Sequence, residues 1–140
     1  MKVRSSVLKT LAVVATVSLA GCVLGQHNPI LGKWEVTSVT ATDASSPSAS
    51  MVATTFSGMM KGEIFDFKNH NFTVYNPNTK ETISSKVLKY EVKSAHKIVV
   101  VQKQEKDGLN VTEYQKGILS DGGKDLVLDS GIMAVHFKRL

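Results

Sequence analysis

The sequence contains a single cysteine, Cys22, among its 140 residues, and this scarcity excludes several kinds of site. One cysteine cannot form an intramolecular disulfide, and it cannot build a zinc site that depends on cysteine pairs. Aromatic residues account for only 6% of the chain. No run of lysines or arginines is interleaved with them, so the sequence does not indicate nucleic-acid binding.

Motifs of catalysis are also missing. The chain has no Gly-x-Ser-x-Gly nucleophile elbow and no glycine-rich loop of the kind that binds phosphate. Its carboxylates at Asp66, Glu91 and Glu113 alternate with lysines, as on a solvated strand face. Its four histidines lie in four separate segments, without the close spacing of a metal site: His27, His70, His96 and His136. The sequence therefore predicts no enzyme activity, no metal site and no cofactor.

The longest apolar stretch is short. Residues 11–20 (LAVVATVSLA) are apolar or small except for Thr16 and Ser18, and they cover about half of the ~20 residues that span a bilayer. Lys2, Arg4 and Lys9 precede this stretch, and no acidic residue accompanies them. A basic start, a short apolar core and small residues at its end predict a secretory signal peptide over residues 1–21.

Cysteine follows the small pair Ala20-Gly21 directly, which differs from an ordinary cleavage site. Leu19-Ala20-Gly21-Cys22 resembles the bacterial lipobox at all four positions. The resemblance implies cleavage before Cys22, a thioether-linked diacylglycerol on its sulfur and an acyl chain, such as palmitate, on its new amino group. Several acyl chains give stable membrane anchoring. The alternative is that Cys22 is only a small apolar residue within a longer signal.

Removal of the signal peptide changes the charge of the chain. The 17 basic residues lose three, which leaves 14 against 12 acidic residues, a net charge of about +2 rather than +5. Val23 follows the cysteine, where an aspartate would resemble the inner-membrane retention signal. The sequence therefore predicts a lipoprotein of the bacterial cell envelope, anchored in the outer membrane and facing the periplasm. Residues 22–29, closed by Pro29, are predicted to be a lipidated tether.

Residues 30–140 form a single predicted domain of short strands. Period-two alternation and turn residues predict strands at 30–40, 63–68, 72–75, 82–93, 97–103, 109–119, 126–128 and 132–140. A loop is predicted at 41–50. Met51 to Met60 changes to helical periodicity, with Ser48 or Ser50 as its cap and Gly62 at its end. The expected fold is mainly β: an antiparallel up-and-down barrel of about eight strands, with one short helix after the first strand.

A resemblance to a known family supports this fold. Gly32-Lys33-Trp34, at the start of the first strand, resembles the Gly-x-Trp signature of the lipocalin and calycin barrels. With the Tyr90-centred strand and the closing Phe137-Lys138-Arg139, the order is similar to the small bacterial lipocalin-like lipoproteins over nearly all of residues 30–140. The resemblance implies that Trp34 closes one end of the barrel and that Arg139 packs over its ring as a cation–π pair. The alternative is a core tryptophan and a solvated arginine.

Two interpretations of the barrel interior remain open. The large inward residues either fill it as a core or line an apolar pocket for one small ligand, with the tyrosines as polar handles. The residues concerned are Phe65, Phe67, Leu88, Tyr90, Tyr114 and Phe137. The 51–60 helix would cover the pocket as a lid, through Met51, Phe56, Met59 and Met60, unless these are ordinary core residues.

Two functions follow from these patterns. The first is a membrane-anchored lipoprotein whose lipocalin-like barrel binds a small apolar ligand. The second is a protein-interaction module, either an accessory subunit of an envelope complex or an inhibitor of a periplasmic enzyme. The expected partners are thus the membrane, through the lipid on Cys22, and either a small apolar molecule or an envelope protein.

Overall fold

The computed structural model describes residues 27–140, and the predicted signal peptide and Cys22 lie outside these residues. The described part contains nine strands, one α-helix and one short 3₁₀ turn. In chain order the elements are β1 (Gly32–Ala41), α1 (Pro47–Met60), β2 (Ile64–Phe67), β3 (Asn71–Asn76), β4 (Glu81–Lys86), β5 (Lys89–Ser94), β6 (Lys97–Lys106), β7 (Leu109–Ser120), the 3₁₀ turn (Asp121–Gly123), β8 (Asp125–Asp129) and β9 (Met133–Arg139).

The strands form one curled antiparallel sheet in the order β4-β3-β2-β1-β9-β8-β7-β6-β5. Neighbouring strands in this order are consecutive in the chain, except that β1 pairs with β9, the last strand. This pairing brings the two ends of the domain together, with Trp34 opposite Arg139. The predicted mainly β, antiparallel fold with one helix after the first strand is confirmed.

The predicted number of strands is wrong, because the segment predicted as one strand at 82–93 is two strands. β4 pairs with β3, whereas β5 pairs with β6 at the opposite end of the sheet order. Only Val87 and Leu88 separate them. The Val87 N–H donates to the His70 carbonyl (2.8 Å), and the Leu88 N–H donates to the Val101 carbonyl (2.8 Å). The chain therefore changes its pairing partner within two residues, without any turn residue to mark the change.

The barrel is open, which corrects the prediction of a closed one. The sheet curls until its two edge strands meet at the Val87–Leu88 joint, and the seam beside this joint is not closed by a strand ladder within residues 27–140. One part of the seam is a cleft of about 400 Å³ lined by Ser85, Lys86 and the segment 102–105. Its lining is polar, so it differs from the apolar concave face of the sheet.

The helix begins four residues earlier than predicted. α1 starts at Pro47, and Ser46 rather than Ser48 or Ser50 caps it, because the Ser46 hydroxyl accepts a hydrogen bond from the Ala49 N–H (3.3 Å). Proline in the first turn suits a helix start, since its missing N–H would have no partner there. The predicted loop at 41–50 is correspondingly shorter.

The core lies on the concave face of the sheet. Every strand from β6 to β9 contributes residues to it, as do β1 and β2, and α1 contributes Ala53. Its buried members are Ile30, Trp34, Val36, Val39, Ala53, Phe67, Val87, Ile98, Val100, Leu119, Leu126, Leu128 and Phe137. Within the described residues, no helix is both long and apolar enough to cross a membrane.

Candidate ligand-binding site

One end of the curled sheet is closed by Trp34 and Arg139. Trp34 is fully buried, and its indole Nε1–H donates to the Ile30 carbonyl (2.8 Å). The Arg139 guanidinium carbon lies 4.0 Å from the centroid of the indole ring. A cation so placed over an aromatic face is attracted by the ring quadrupole. The structure thus brings these two residues together at the start of β1 and the end of β9.

Arg139 also holds two connecting segments at this end, the one before β1 and the turn after β7. Its Nε–H donates to the Gly123 carbonyl (3.0 Å), and its two terminal nitrogens donate to the carbonyls of Leu31 (3.1 Å) and Pro29. Burial lowers the pKa of the guanidinium below its usual value. Gly32 has a φ of +118°, and a Cβ there would lie 3.3 Å from an Arg139 terminal nitrogen. The glycine of the Gly-x-Trp signature therefore provides both the backbone conformation and the space for Arg139.

An aromatic cluster occupies the concave face beside β1. Phe65 and Phe72 are stacked with ring centroids 5.7 Å apart, and the Phe137 ring approaches Phe65 edge-on at 5.0 Å. Phe67 contacts Phe72 at 5.3 Å. Phe67 and Phe137 are buried, whereas Phe65 and Phe72 remain partly exposed. The cluster therefore has two buried rings, and its two partly exposed rings, Phe65 and Phe72, form an aromatic wall on the concave face.

Tyr90 bridges the seam of the open barrel. It lies on β5, and its hydroxyl donates to the Lys68 carbonyl (2.7 Å) just beyond β2. Its ring is partly buried against the core, and burial raises the pKa of its phenol to about 12. Tyr90 thus points inward, and its hydroxyl already donates a hydrogen bond to the backbone at the end of β2.

Leu88 and Tyr114 lie elsewhere than the predicted interior. Leu88 belongs to the joint between the two edge strands and is 56% exposed. Tyr114 is 61% exposed, because the buried residues Gly117 and Leu119 set the inward parity of β7 and Tyr114 has the opposite parity. The inward positions in this part of the sheet are occupied by Gln115 and Gln102, whose side-chain amides are hydrogen-bonded (3.4 Å).

Most of the residues predicted to form the lid do not pack against the sheet. Met51 and Met59 are 72% and 65% exposed, and Phe56 is 39% exposed. Only Met60 of the four packs against the core. The actual contacts are the buried Ala53 and the hydroxyl of Ser57, which accepts a hydrogen bond from the Val39 N–H (3.0 Å).

A cleft of about 220 Å³ separates α1 from β1. Small residues line most of it: Val39, Thr40, Ala41, Ala44, Ser50, Ala53 and Thr54. The helix thus packs against β1 through small residues rather than through large side chains. Sequence periodicity could not identify Ala53 and Ser57 as the contact residues, because the larger apolar residues of the helix except Met60 are exposed to solvent.

No protein-family model, curated protein or solved structure matches this chain. The site must therefore be interpreted from its own geometry. Within residues 27–140, no group of three or more histidine, cysteine or acidic side chains is arranged to hold a metal ion. The site consists of an apolar concave face, a helix whose one buried residue is Ala53, and an end closed by Trp34 and Arg139.

Proposed function

We propose that this chain is a membrane-anchored bacterial lipoprotein whose open, lipocalin-like barrel binds a small apolar ligand. The observation that carries the proposal is the aromatic wall of the concave face, formed by Phe65 and Phe72 on β2 and β3, which remains partly exposed. The lipobox-like Leu19-Ala20-Gly21-Cys22 supports the anchoring, and the position of Val23 supports the outer membrane, on its periplasmic side, as the location.

The aromatic wall has apolar area left to cover. Phe65, Phe72 and Tyr90 pack on the core from one side and remain partly accessible on the other. Removing apolar surface from water yields about 25 cal/mol per Å², so a small apolar molecule laid against these rings gains binding free energy that the free protein lacks. Met60, at the end of α1, adds an adaptable side chain that packs against the same core.

The helix is suited to admit such a molecule. Its burial on the sheet rests on Ala53, with Met60 at its C-terminal end, and Ser57 provides one hydrogen bond to β1. An alanine contact involves little apolar area, so lifting the helix costs less than it would for a helix anchored by leucines. Elements with few buried apolar contacts open more readily than the rest of a fold. In this proposal α1 moves, and the aromatic wall on β2 and β3 stays in place.

Titration with a fluorescent fatty-acid analogue tests the ligand site. Saturable binding is expected, and Phe72→Ala should weaken it at least tenfold by removing part of the wall. Phe72→Leu, which keeps a smaller apolar side chain, should weaken it less. Ile132→Ala is the matched control, since Ile132 lies in the turn between β8 and β9 and is 70% exposed. Binding that is absent, or equal in all four proteins, would contradict the proposal.

A second function has one observation in its favour. The outer face of α1 presents Met51, Val52 and Met59 to solvent, and apolar side chains clustered in this way are common at contact sites. The chain would then act as an accessory subunit of an envelope complex or as an inhibitor of a periplasmic enzyme. A photo-crosslinker at Met51 should capture a protein partner in intact cells if this is the function, and should capture none if the helix serves only as a lid.

A further inference from the structure

The convex face of the sheet carries an apolar patch ringed by lysines. Ile98 and Val100 point into the core, so Val99 has the opposite direction on β6, and the same parity places Ile118 on this outer face of β7. Ile118 is 51% exposed. Lysines from three neighbouring strands surround these two apolar residues: Lys89, Lys93, Lys97 and Lys116.

The centre of this patch is a shallow depression. It has a volume of about 300 Å³, and its lining contains three of the lysines and no acidic residue: Lys93, Lys97, Ile98, Val99, Lys116, Gly117 and Ile118. Strand register brings the groups together, since Lys116 lies opposite Val99 and Lys97 lies opposite Ile118. Cations therefore alternate with apolar side chains across the two strands.

Two acidic residues reduce the positive charge at the edge of the patch. Glu91 forms ion pairs with Lys89 (2.8 Å) and Lys93 (3.0 Å), and Asp129 lies opposite Lys116 in the β7–β8 register. Lys97 has no carboxylate within ion-pair distance in the described part of the chain. Four lysines and two carboxylates give the patch a net charge of +2. Exposed apolar side chains among lysines are complementary to an anionic lipid surface.

The start of the described chain lies near the end of β7 that carries Ile118. The Arg139 guanidinium binds the carbonyls of both Pro29 and Gly123, and Gly123 follows Ile118 by only five residues. Cys22 precedes Pro29 by seven residues, which span at most about 25 Å. A lipid on Cys22 would therefore hold the patch close to the bilayer surface.

We propose that the patch formed by Val99, Ile118 and their surrounding lysines docks the domain onto an anionic lipid bilayer. Docking would fix the orientation of the barrel relative to the membrane, with the convex face of β5–β7 against the headgroups. The proposal rests on the proposed function only in its use of the Cys22 anchor, since the patch itself belongs to the described domain and faces away from the ligand site.

A fluorophore beside the patch tests this docking in the full chain. Cys22→Ser combined with Ser120→Cys gives one thiol next to Ile118, which an environment-sensitive dye can label. Vesicles of phosphatidylcholine alone are compared with vesicles that also contain phosphatidylglycerol. The apolar segment before residue 22 can hold the chain on either vesicle, so the difference between the two reports docking. A blue shift is expected on the anionic vesicles only, and high salt should reverse it.

Charge variants make the test specific. Lys93→Gln, Lys97→Gln and Lys116→Gln together should abolish the blue shift, with partition weakened about fivefold for each lysine removed. Glu91→Gln should strengthen it. The control removes three exposed lysines elsewhere, Lys61, Lys80 and Lys106, and should leave the blue shift unchanged.

Three results would overturn the docking proposal: equal spectra on the two vesicles, equal effects of the two lysine triplets, or a blue shift only from a dye placed on the helix by Thr55→Cys. Because these chains lack the Cys22 thiol, failure here leaves the anchoring untouched. Conversely, loss of acylation at Cys22 in cells would remove the anchor without affecting the vesicle result.

Discussion

At the scale of single residues, Arg139 accounts for how the ends of the domain are held. Its guanidinium covers Trp34 and binds the backbone of Pro29, Leu31 and Gly123, so one side chain joins the first loop, the last strand and the turn after β7. The planar fork of arginine provides several donors at fixed angles, which the single ammonium of lysine cannot reproduce.

Arg139→Lys should therefore lower the free energy of unfolding by about 2 kcal/mol, since hydrogen bonds and a cation–π contact are lost while the charge is kept. Urea unfolding measures the change. The reciprocal control is Lys138→Arg at the exposed neighbouring position, which should change stability by less than about 0.5 kcal/mol. Equal effects of the two substitutions would contradict the assigned role of Arg139.

Tyr90 gives the fold a dependence on alkaline pH. Burial raises the pKa of its phenol to about 12 from the ordinary value of 10.0. The folded state thus favours the protonated phenol, so the stabilisation is fully present below pH 10 and is lost as the pH rises toward 12. Absorbance titration of tyrosinate should show a component near pH 12 that Tyr90→Phe removes. A titration curve unaltered by that substitution would exclude this role.

At the scale of elements, the local sequence pattern predicts where the strands are, whereas non-local hydrogen bonds decide which strands pair. Alternation and turn residues predicted nearly every strand, because both are local properties of the chain. The division between β4 and β5 could not be predicted, since Leu88, Tyr90 and Val92 continue one alternating pattern across it. The division depends instead on hydrogen bonds from Val87 and Leu88 to distant strands.

The same distinction explains which site residues were predicted. Trp34 and Arg139 could be paired because the family resemblance and strand parity both apply to them. The sequence predicts Tyr114 to point inward, yet Gln115 and Gln102 take the inward positions there, and Gln102 is buried. A polar side chain becomes tolerable inside when another supplies its hydrogen bond, here Gln115, and a single sequence does not show that pairing.

Two glycines in different elements should respond oppositely to alanine. In β7, a Cβ at Gly117 would lie 3.2 Å from both the Ile98 carbonyl oxygen and a Leu128 methyl group, so Gly117→Ala should destabilise the fold by about 1–3 kcal/mol. In α1, a Cβ at Gly58 would meet nothing within 4 Å, and Gly58→Ala should stabilise by up to about 1 kcal/mol. Thermal unfolding of both variants measures the pair, and shifts of the same sign would contradict this packing.

At the scale of the whole molecule, the open barrel combines a closed end with an accessible concave face. Trp34 and Arg139 close the end from which the chain leads back to Cys22, and the partly exposed rings of Phe65 and Phe72 lie on β2 and β3. The packed core stabilises the domain, and the partly exposed rings are the surface on which the proposed ligand would bind. The curled sheet thus contains a packed core, and the ligand pocket stays a prediction.

Native mass spectrometry of the chain extracted from bacterial membranes in mild detergent tests the central claim most directly. The account predicts a chain that begins at an acylated Cys22 and carries a small apolar molecule, which is released under denaturing conditions and is reduced in Phe72→Ala. A processed chain that carries no such molecule, in a preparation whose fold is intact by circular dichroism, would contradict the claim.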